Sequence, residues 1–247
     1  VSRVAVVTGG ASGLGEAICA GLAAQGHRIA VLDLDAGAAD RVAAGLRGRG
    51  AQAIGIVVDV ADEAAVDRAF SMVRTEFGPT EILVTSAAIG GFTRLDKITL
   101  DEWNRYLAVN LTGTFLTLRA ALSDMVAAGW GRIVTISSAA GQQGGPRQAH
   151  YSATKGGVIA LTKTVARDYA KYGITANSVP PFAIETPMLR QQQAEGKLPP
   201  DGYLTQAIPA GRVGAPEDVA AVCAFLCLEA AGYVTGQVIG VNGGAVV

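Results

Sequence analysis

The chain has 247 residues, half of them apolar, with 20 basic and 21 acidic side chains and a formal net charge of −1. Length and low charge (17%) fit one well-buried α/β domain, and the neutral balance gives no electrostatic reason to expect nucleic acid or an anionic membrane surface as partner. The longest clean apolar run, Val219 to Leu228, is ten residues, well short of the ~18 of a membrane span.

Apolar runs alternate with helical patterns along the whole chain. A strand is expected over 3–8, then a helix over 13–25 in which Leu14, Ile18 and Leu22 share a face. A strand at 28–33, a helix to Arg49 and a strand at 53–58 follow. Next come a helix near 62–77, a strand at 81–85 and a long helix around 100–128. A strand at 132–137, a helix at about 151–172, a strand at 175–179, a helix at 216–228 and a last strand at 237–241 complete the pattern. The strands are continuously apolar, so both faces are covered by helices, as in a parallel sheet. This predicts an α/β fold: a doubly wound seven-stranded parallel sheet of Rossmann type, in the order 3-2-1-4-5-6-7. Residues 1–247 then form a single dinucleotide-binding and catalytic domain. The proline-rich interval after the sixth strand, about 181–209, has no clear period and reads as a substrate lid, because ligands bind at strand carboxyl ends.

Glycine is over-used, at 32 residues against an average near 7%, and its most informative cluster ends the first strand. Thr8-Gly9-Gly10-Ala11-Ser12-Gly13-Leu14-Gly15 runs directly into a helix. Gly9, Ser12, Gly13, Leu14 and Gly15 there offer a close backbone approach and a helix N-terminus to a pyrophosphate. Asp33, at the end of the second strand, lies 18 residues past Gly15. Its carboxylate suits the two ribose hydroxyls of NAD and repels a 2′-phosphate, which predicts NAD over NADP. Asp35 is the better helix cap, and Leu34 borders the ribose site. Asp59-Val60 ends the third strand under the expected adenine edge, where Asp59 stands equally as a ligand or as a helix cap.

Tyr151 and Lys155 are four residues apart on one helix face, and Ser138 ends the fifth strand. A cation within ~4–6 Å lowers a phenol pKa from about 10, which would bring Tyr151 into the useful range for general acid/base work. Ser138 is placed to hold a substrate oxygen.

With these residues the sequence resembles the short-chain dehydrogenase/reductase family over essentially its whole length. The resemblance rests on Thr-Gly-x-x-x-Gly-x-Gly at 8–15, Asp59-Val60, Val109-Asn110, Ile136-Ser137-Ser138, Tyr151-Ser152-Ala153-Thr154-Lys155, Thr186 and Thr235-Gly236. It implies Ser138, Tyr151 and Lys155 as catalytic residues, with Asn110 holding a water of a proton relay. It also implies that Ala87, Lys155 and Thr186 bind the cofactor, and that the family's usual tetramer applies. The sequence departs from the family at Thr85-Ser86-Ala87-Ala88, at Pro180-Pro181 and at Asn242-Gly243-Gly244. Pro181 replaces a glycine and removes a backbone N–H.

The expected function is hydride transfer between NAD(H) and a small or cyclic secondary alcohol or ketone. A 3-oxoacyl-thioester reductase is the alternative on the same scaffold, and an idle NAD-sensing or scaffold protein is the alternative of another class. Phe92, Gln142, His150, Phe182 and Met188 are expected to bind substrate beside Ser138 and Tyr151, with Gly90, Gly91, Ala140, Gln143 and Tyr203 near them. Arg147 and Arg190 are the cations available to a phosphopantetheine. No metal site is expected: His27 has no ligand cluster, and Cys223 and Cys227 read as core thiols. The three sparse cysteines (Cys19, Cys223, Cys227) and the absence of a signal-peptide pattern near Val1 favour the cytoplasm.

Overall fold

The computed structural model describes residues 1–247. Six parallel strands lie in the order β3-β2-β1-β4-β5-β6: β1 (Val4–Thr8), β2 (Arg28–Asp33), β3 (Ala53–Val57), β4 (Ile82–Thr85), β5 (Gly131–Ile136) and β6 (Ile174–Val179). Each strand sends alternate side chains to opposite faces, and both faces are apolar. Ala5, Val7, Ile29 and Val31 join one buried cluster, while Val4, Val6, Ala30 and Leu32 join the other. Helices α1 (Gly13–Ala24), α2 (Ala36–Gly48) and α10 (Pro216–Leu226) cover the first face. Helices α3 (Glu63–Phe77), α5 (Gly113–Ala128) and α7 (Ala149–Tyr169) cover the second. Burying side chains such as Ile29, Leu83 and Phe70 stabilises the fold by roughly 1.5–3 kcal/mol each.

The expected seventh strand is reduced to two isolated parallel bridges, Ser178 with Val238 and Pro181 with Val241. The ladder begins normally: the Ser178 amide donates to Gln237 O and the Ile239 amide to Ser178 O, both at 2.9 Å. The next donor along β6 would be residue 180, which is proline and has no N–H. Only a long 3.4 Å bond from the Val241 amide to Pro180 O follows.

The long helix expected around 100–128 is α4 (Leu100–Tyr106), a π-helical turn (Leu107–Thr112) and α5 in succession. The interval read as structureless contains two short helices, α8 (Pro187–Ala194) and α9 (Asp201–Gln206). Thr186 caps α8 by accepting from the Leu189 amide, with Pro187 in the first turn. Both helices are too short to give a periodic signal. Leu189, Leu204 and Ile208 anchor the segment by burial. A further short helix, α6 (Ala139–Gln143), follows β5.

Candidate active site

At the end of β1 the chain takes the left-handed conformation that favours glycine. Gly9 and Gly13 have φ of 62° and 53°. A Cβ on Gly9 would lie 2.7 Å from the Ala87 backbone, and one on Gly15 would lie 2.0 Å from Gly9 O. No side chain caps the start of α1 at Ser12, so its first amides face outward. This cradle fits a pyrophosphate at the helix N-terminus.

Asp33 bends back over the cradle. Its Oδ2 accepts from the Ala11 amide at 3.1 Å and its Oδ1 from the Asp35 amide at 3.2 Å. Asp35 caps α2 through the Ala38 amide, leaving Asp33 free of that duty. Leu34 beside it is 70% exposed, an apolar surface open to a flat ring. Asp62, not Asp59, caps α3. Asp59 is exposed and Val60 buried, and the Asp59 carboxylate accepts from the Ala61 amide. Thr186 lies over the same loop, since a Cβ on Gly13 would meet its Cγ2 at 3.3 Å. Helix α8 therefore starts against the glycine loop.

Beyond β4 the Thr85-Ser86-Ala87-Ala88 departure leaves a trace. Thr8 Oγ1 accepts from the Ser86 and Ala87 amides, while the buried Thr85 hydroxyl has no partner. Asn110 sits fully buried in the π-helical turn, the type of helix defect often found at functional sites. Its side chain accepts from the Ile89 amide at 2.9 Å and donates to Ile89 O at 3.0 Å and Thr154 Oγ1 at 3.2 Å. It thus ties the loop after β4 to the α7 helix.

Ser138 is the N-cap of α6, and its Oγ accepts from the Ala140 amide at 3.1 Å. Its hydroxyl lies beside the Tyr151 phenol, close enough to favour the phenolate. Lys155 is buried, donates from Nζ to Ile136 O at 2.8 Å, and lies 5.8 Å from the Tyr151 ring centroid. Burial brings its ammonium down to about 8 from an ordinary 10.5. The expectation that Lys155 lowers the Tyr151 phenol does not hold in this structure. Burial raises that phenol, and the neighbouring Ser138 hydroxyl offsets this only in part. Lys155 Nζ is turned to a backbone carbonyl, 5.8 Å from the Tyr151 ring centroid, and its charge does not offset the burial of the phenol.

The residues expected to bind substrate separate into two groups. The Pro181 carbonyl accepts from the Ala139 amide at 2.9 Å, which sets Phe182 beside the Ser138 strand end, 38% exposed. Met188 on α8 closes over Gly90, where a Cβ would lie 2.9 Å from its Sδ and 3.0 Å from Gln192 Nε2. Phe92 lies under the Arg147 guanidinium, and Gln142 is exposed on α6. His150 belongs elsewhere, a correction to its expected place among the substrate residues. Its side chain is fully buried, stacked on Tyr106 and bound to Glu102, so it offers no surface to substrate. Arg190 is paired with Glu185 and Asp201.

Sequence reasoning missed Thr154, Glu102, Thr93 and Tyr106. Thr154 was the accessible one: it lies three residues after Tyr151 on the same helix face. A cavity of about 380 Å³ lies between Ile184, Ile208, Arg212 and Val241 and includes none of the Ser138, Tyr151 and Lys155 group.

A glycine-loop cradle and a Tyr-x-x-x-Lys helix at the carboxyl edge of one parallel sheet define a nicotinamide-dependent oxidoreductase. A family model described as enoyl-(acyl carrier protein) reductase matches residues 9–246. The 3-oxoacyl-[acyl-carrier-protein] reductase of Synechocystis sp. is 40% identical over 247 residues, covering 99% of this chain and 97% of that one. The FabG protein of the same description from Aquifex aeolicus is 39% identical over 243 residues, covering 98% and 96%. Among solved structures, levodione reductase superposes with a TM-score of 0.92 at 32% identity, covering 98% of this chain and 96% of that chain. The chain belongs to the short-chain dehydrogenase/reductase family. It is an oxidoreductase acting on CH–OH and ketone groups with a nicotinamide cofactor.

Proposed function

We propose that the chain transfers hydride between NAD(H) and a small or cyclic secondary alcohol or ketone. The observation that carries this reading is the Ser138 hydroxyl beside the Tyr151 phenol, with Lys155 on the same helix, at the strand edge that also bears the glycine cradle. In the reductive direction Ser138 and Tyr151 hold the carbonyl oxygen, and Tyr151 delivers a proton to it as negative charge develops. The nicotinamide cofactor supplies or accepts the hydride when bound. Lys155 orients that end of the site, holds the cofactor's ribose in this reading and supplies positive charge. Asn110 fixes the helix turn behind it and serves the proton relay. Gly9, Ser12, Gly13, Leu14 and Gly15 cradle the pyrophosphate, Asp33 takes the ribose hydroxyls, and Leu34, Asp59, Val60, Ala87 and Thr186 complete the cofactor contacts.

Support for small or cyclic substrates comes from the apolar rim of Phe92, Phe182 and Met188 and from the likeness to levodione reductase. The names of the curated relatives support a 3-oxoacyl thioester as the second reading. Arg190, one of two cations considered for a phosphopantetheine, is already held by two carboxylates, which weighs toward the smaller substrate. Segment 181–209 acts in this reading as the lid, the protein assembles as a homotetramer, and it works in the cytoplasm. Support for that location comes from three buried free thiols.

Tyr151→Phe tests the chemistry, because it keeps the ring and removes the hydroxyl. Turnover should fall at least about a hundredfold while NAD still binds. More than a tenth of wild-type turnover would reject Tyr151 as the acid/base. Cofactor choice is measured on the same panel of alcohols and ketones. Asp33 should make kcat/KM for NAD(H) at least about tenfold that for NADP(H), or about 1.4 kcal/mol; equal values would reject its assigned role.

A further inference from the structure

Helix α7 begins without a conventional cap. Gln148 precedes it and makes no side-chain capping bond, yet Tyr151 sits in the first turn, where backbone amides have no partner within the helix. The amide of Tyr151 is satisfied by its neighbour instead: it donates to His150 Nδ1 at 2.8 Å. An Nδ1 that accepts must be unprotonated, so a neutral ring carries its proton on Nε2. That nitrogen lies 3.2 Å from Glu102 Oε1, and the same oxygen accepts from the Thr93 hydroxyl at 2.7 Å. The imidazole is stacked on Tyr106, with ring centroids 3.8 Å apart and planes inclined by 16°.

The His150 ring is therefore held by Glu102 and Tyr106 of α4, and Glu102 is in turn held by Thr93 from the loop that follows β4. The ring in turn holds the backbone of the residue that carries the phenol. Thr93 is also bound to the opposite side of the helix entry, since its amide donates to Arg147 O at 2.7 Å. Tyr106 fills the space over Gly91, where a Cβ would fall against its hydroxyl. The cluster so joins the stretch holding Gly90, Gly91 and Phe92 to the first turn of α7.

We infer that His150, clamped as the Nε2–H tautomer between Glu102 and Tyr106, is a positioning residue that sets the reach of Tyr151 to Ser138 by holding the Tyr151 amide. This rests on Tyr151 being the acid/base. A displaced first turn moves the phenol relative to Ser138 but leaves the glycine cradle untouched. Loss of His150 thus acts on the chemical step and not on cofactor affinity.

Two substitutions separate positioning from mere packing. In His150→Ala the amide loses its acceptor, and kcat for the best alcohol of the panel should fall about ten- to a hundredfold, the effect of a misplaced reacting group. The NAD dissociation constant should stay within about twofold. His150→Asn loses the stacking and the Glu102 contact but keeps an acceptor oxygen at the position of Nδ1, and should recover kcat to within about fivefold of wild type. A purely structural His150 would instead give two variants equally low in melting temperature with no such split. The tautomer is read independently from nitrogen chemical shifts of the two histidines, the His150 signals being those lost in His150→Ala. An unprotonated Nδ1 with a protonated Nε2 supports the inference, and the reverse overturns it. Wild-type kcat in His150→Ala, beside an inactive Tyr151→Phe, overturns the positioning role alone. An active Tyr151→Phe overturns the acid/base reading and this inference with it.

Discussion

Lys155 carries the least comfortable charge in the molecule, buried against a backbone carbonyl with no carboxylate beside it. Its folded value of about 8 lies below the ordinary 10.5. Below pH 8 the lysine is protonated in both folded and unfolded chains, and the burial penalty is present in full. Between about 8 and 10.5 the unfolded chain binds the extra proton, so this lysine's contribution to stability rises with pH in that window. The melting temperature of the cofactor-free wild type should therefore gain on that of Lys155→Met as pH is raised from 8 to 10.5. A constant difference across the window would show that the ammonium is not desolvated. Tyr151 and Lys155 were legible in the sequence because their spacing places them on one helix face. The direction of the Tyr151 shift was not, because it depends on where the ammonium points. Spacing brought the two together, but the Ile136 carbonyl that captures Nζ is set by the β5 backbone. His150 escaped for the same reason: adjacency to Tyr151 says nothing about a partner 48 positions away at Glu102.

At the scale of elements, strands were read well where apolar runs are buried on both faces, and β2 matches its expected bounds of 28–33. The seventh strand failed on a local cause, the missing amide of Pro180. The π-helical turn around Asn110 has no signature that hydrophobic period can show, because it shifts the register by a single residue within an otherwise helical stretch. Segment 181–209 was placed correctly at a strand end, but its helices needed tertiary anchors. One of those anchors gives a test of the lid. Met188 and Gln192 rest on Gly90, leaving no room for a methyl group: a Cβ would meet them at 2.9 and 3.0 Å. Both contacts are with ends of flexible side chains, so Gly90→Ala should fold with a melting temperature close to wild type. In the lid reading α8 is displaced, and KM for substrate should change several-fold while the NAD dissociation constant hardly moves. Unchanged KM across the alcohol panel would mean that α8 does not border the substrate.

For the whole molecule, the question is what covers the apolar side chains left outside. A tetramer with two-fold axes requires two different self-complementary patches on each chain. Exposed apolar side chains on two separate helices are the candidates. Phe115 is 45% exposed on α5, with the Arg119 guanidinium over its ring, and Phe225 (48%) with Leu228 (38%) lies at the end of α10. Helix α7 offers none: its outward positions are small or polar, including Ala153, Ala160, Lys163 and Thr164. Association of α5 faces is therefore expected to rest on Phe115, and association around α10 on Phe225 and Leu228. Light scattering at micromolar concentration should give about four times the chain mass of 25.1 kDa. Because each patch generates one axis, Phe115→Glu and Phe225→Glu should each reduce the particle to a dimer, and the two together to a monomer. A wild-type mass of 25.1 kDa would end the tetramer reading. A dimer lost entirely on Phe225→Glu alone would show that only the α10 patch is used, and that Phe115 remains in contact with solvent.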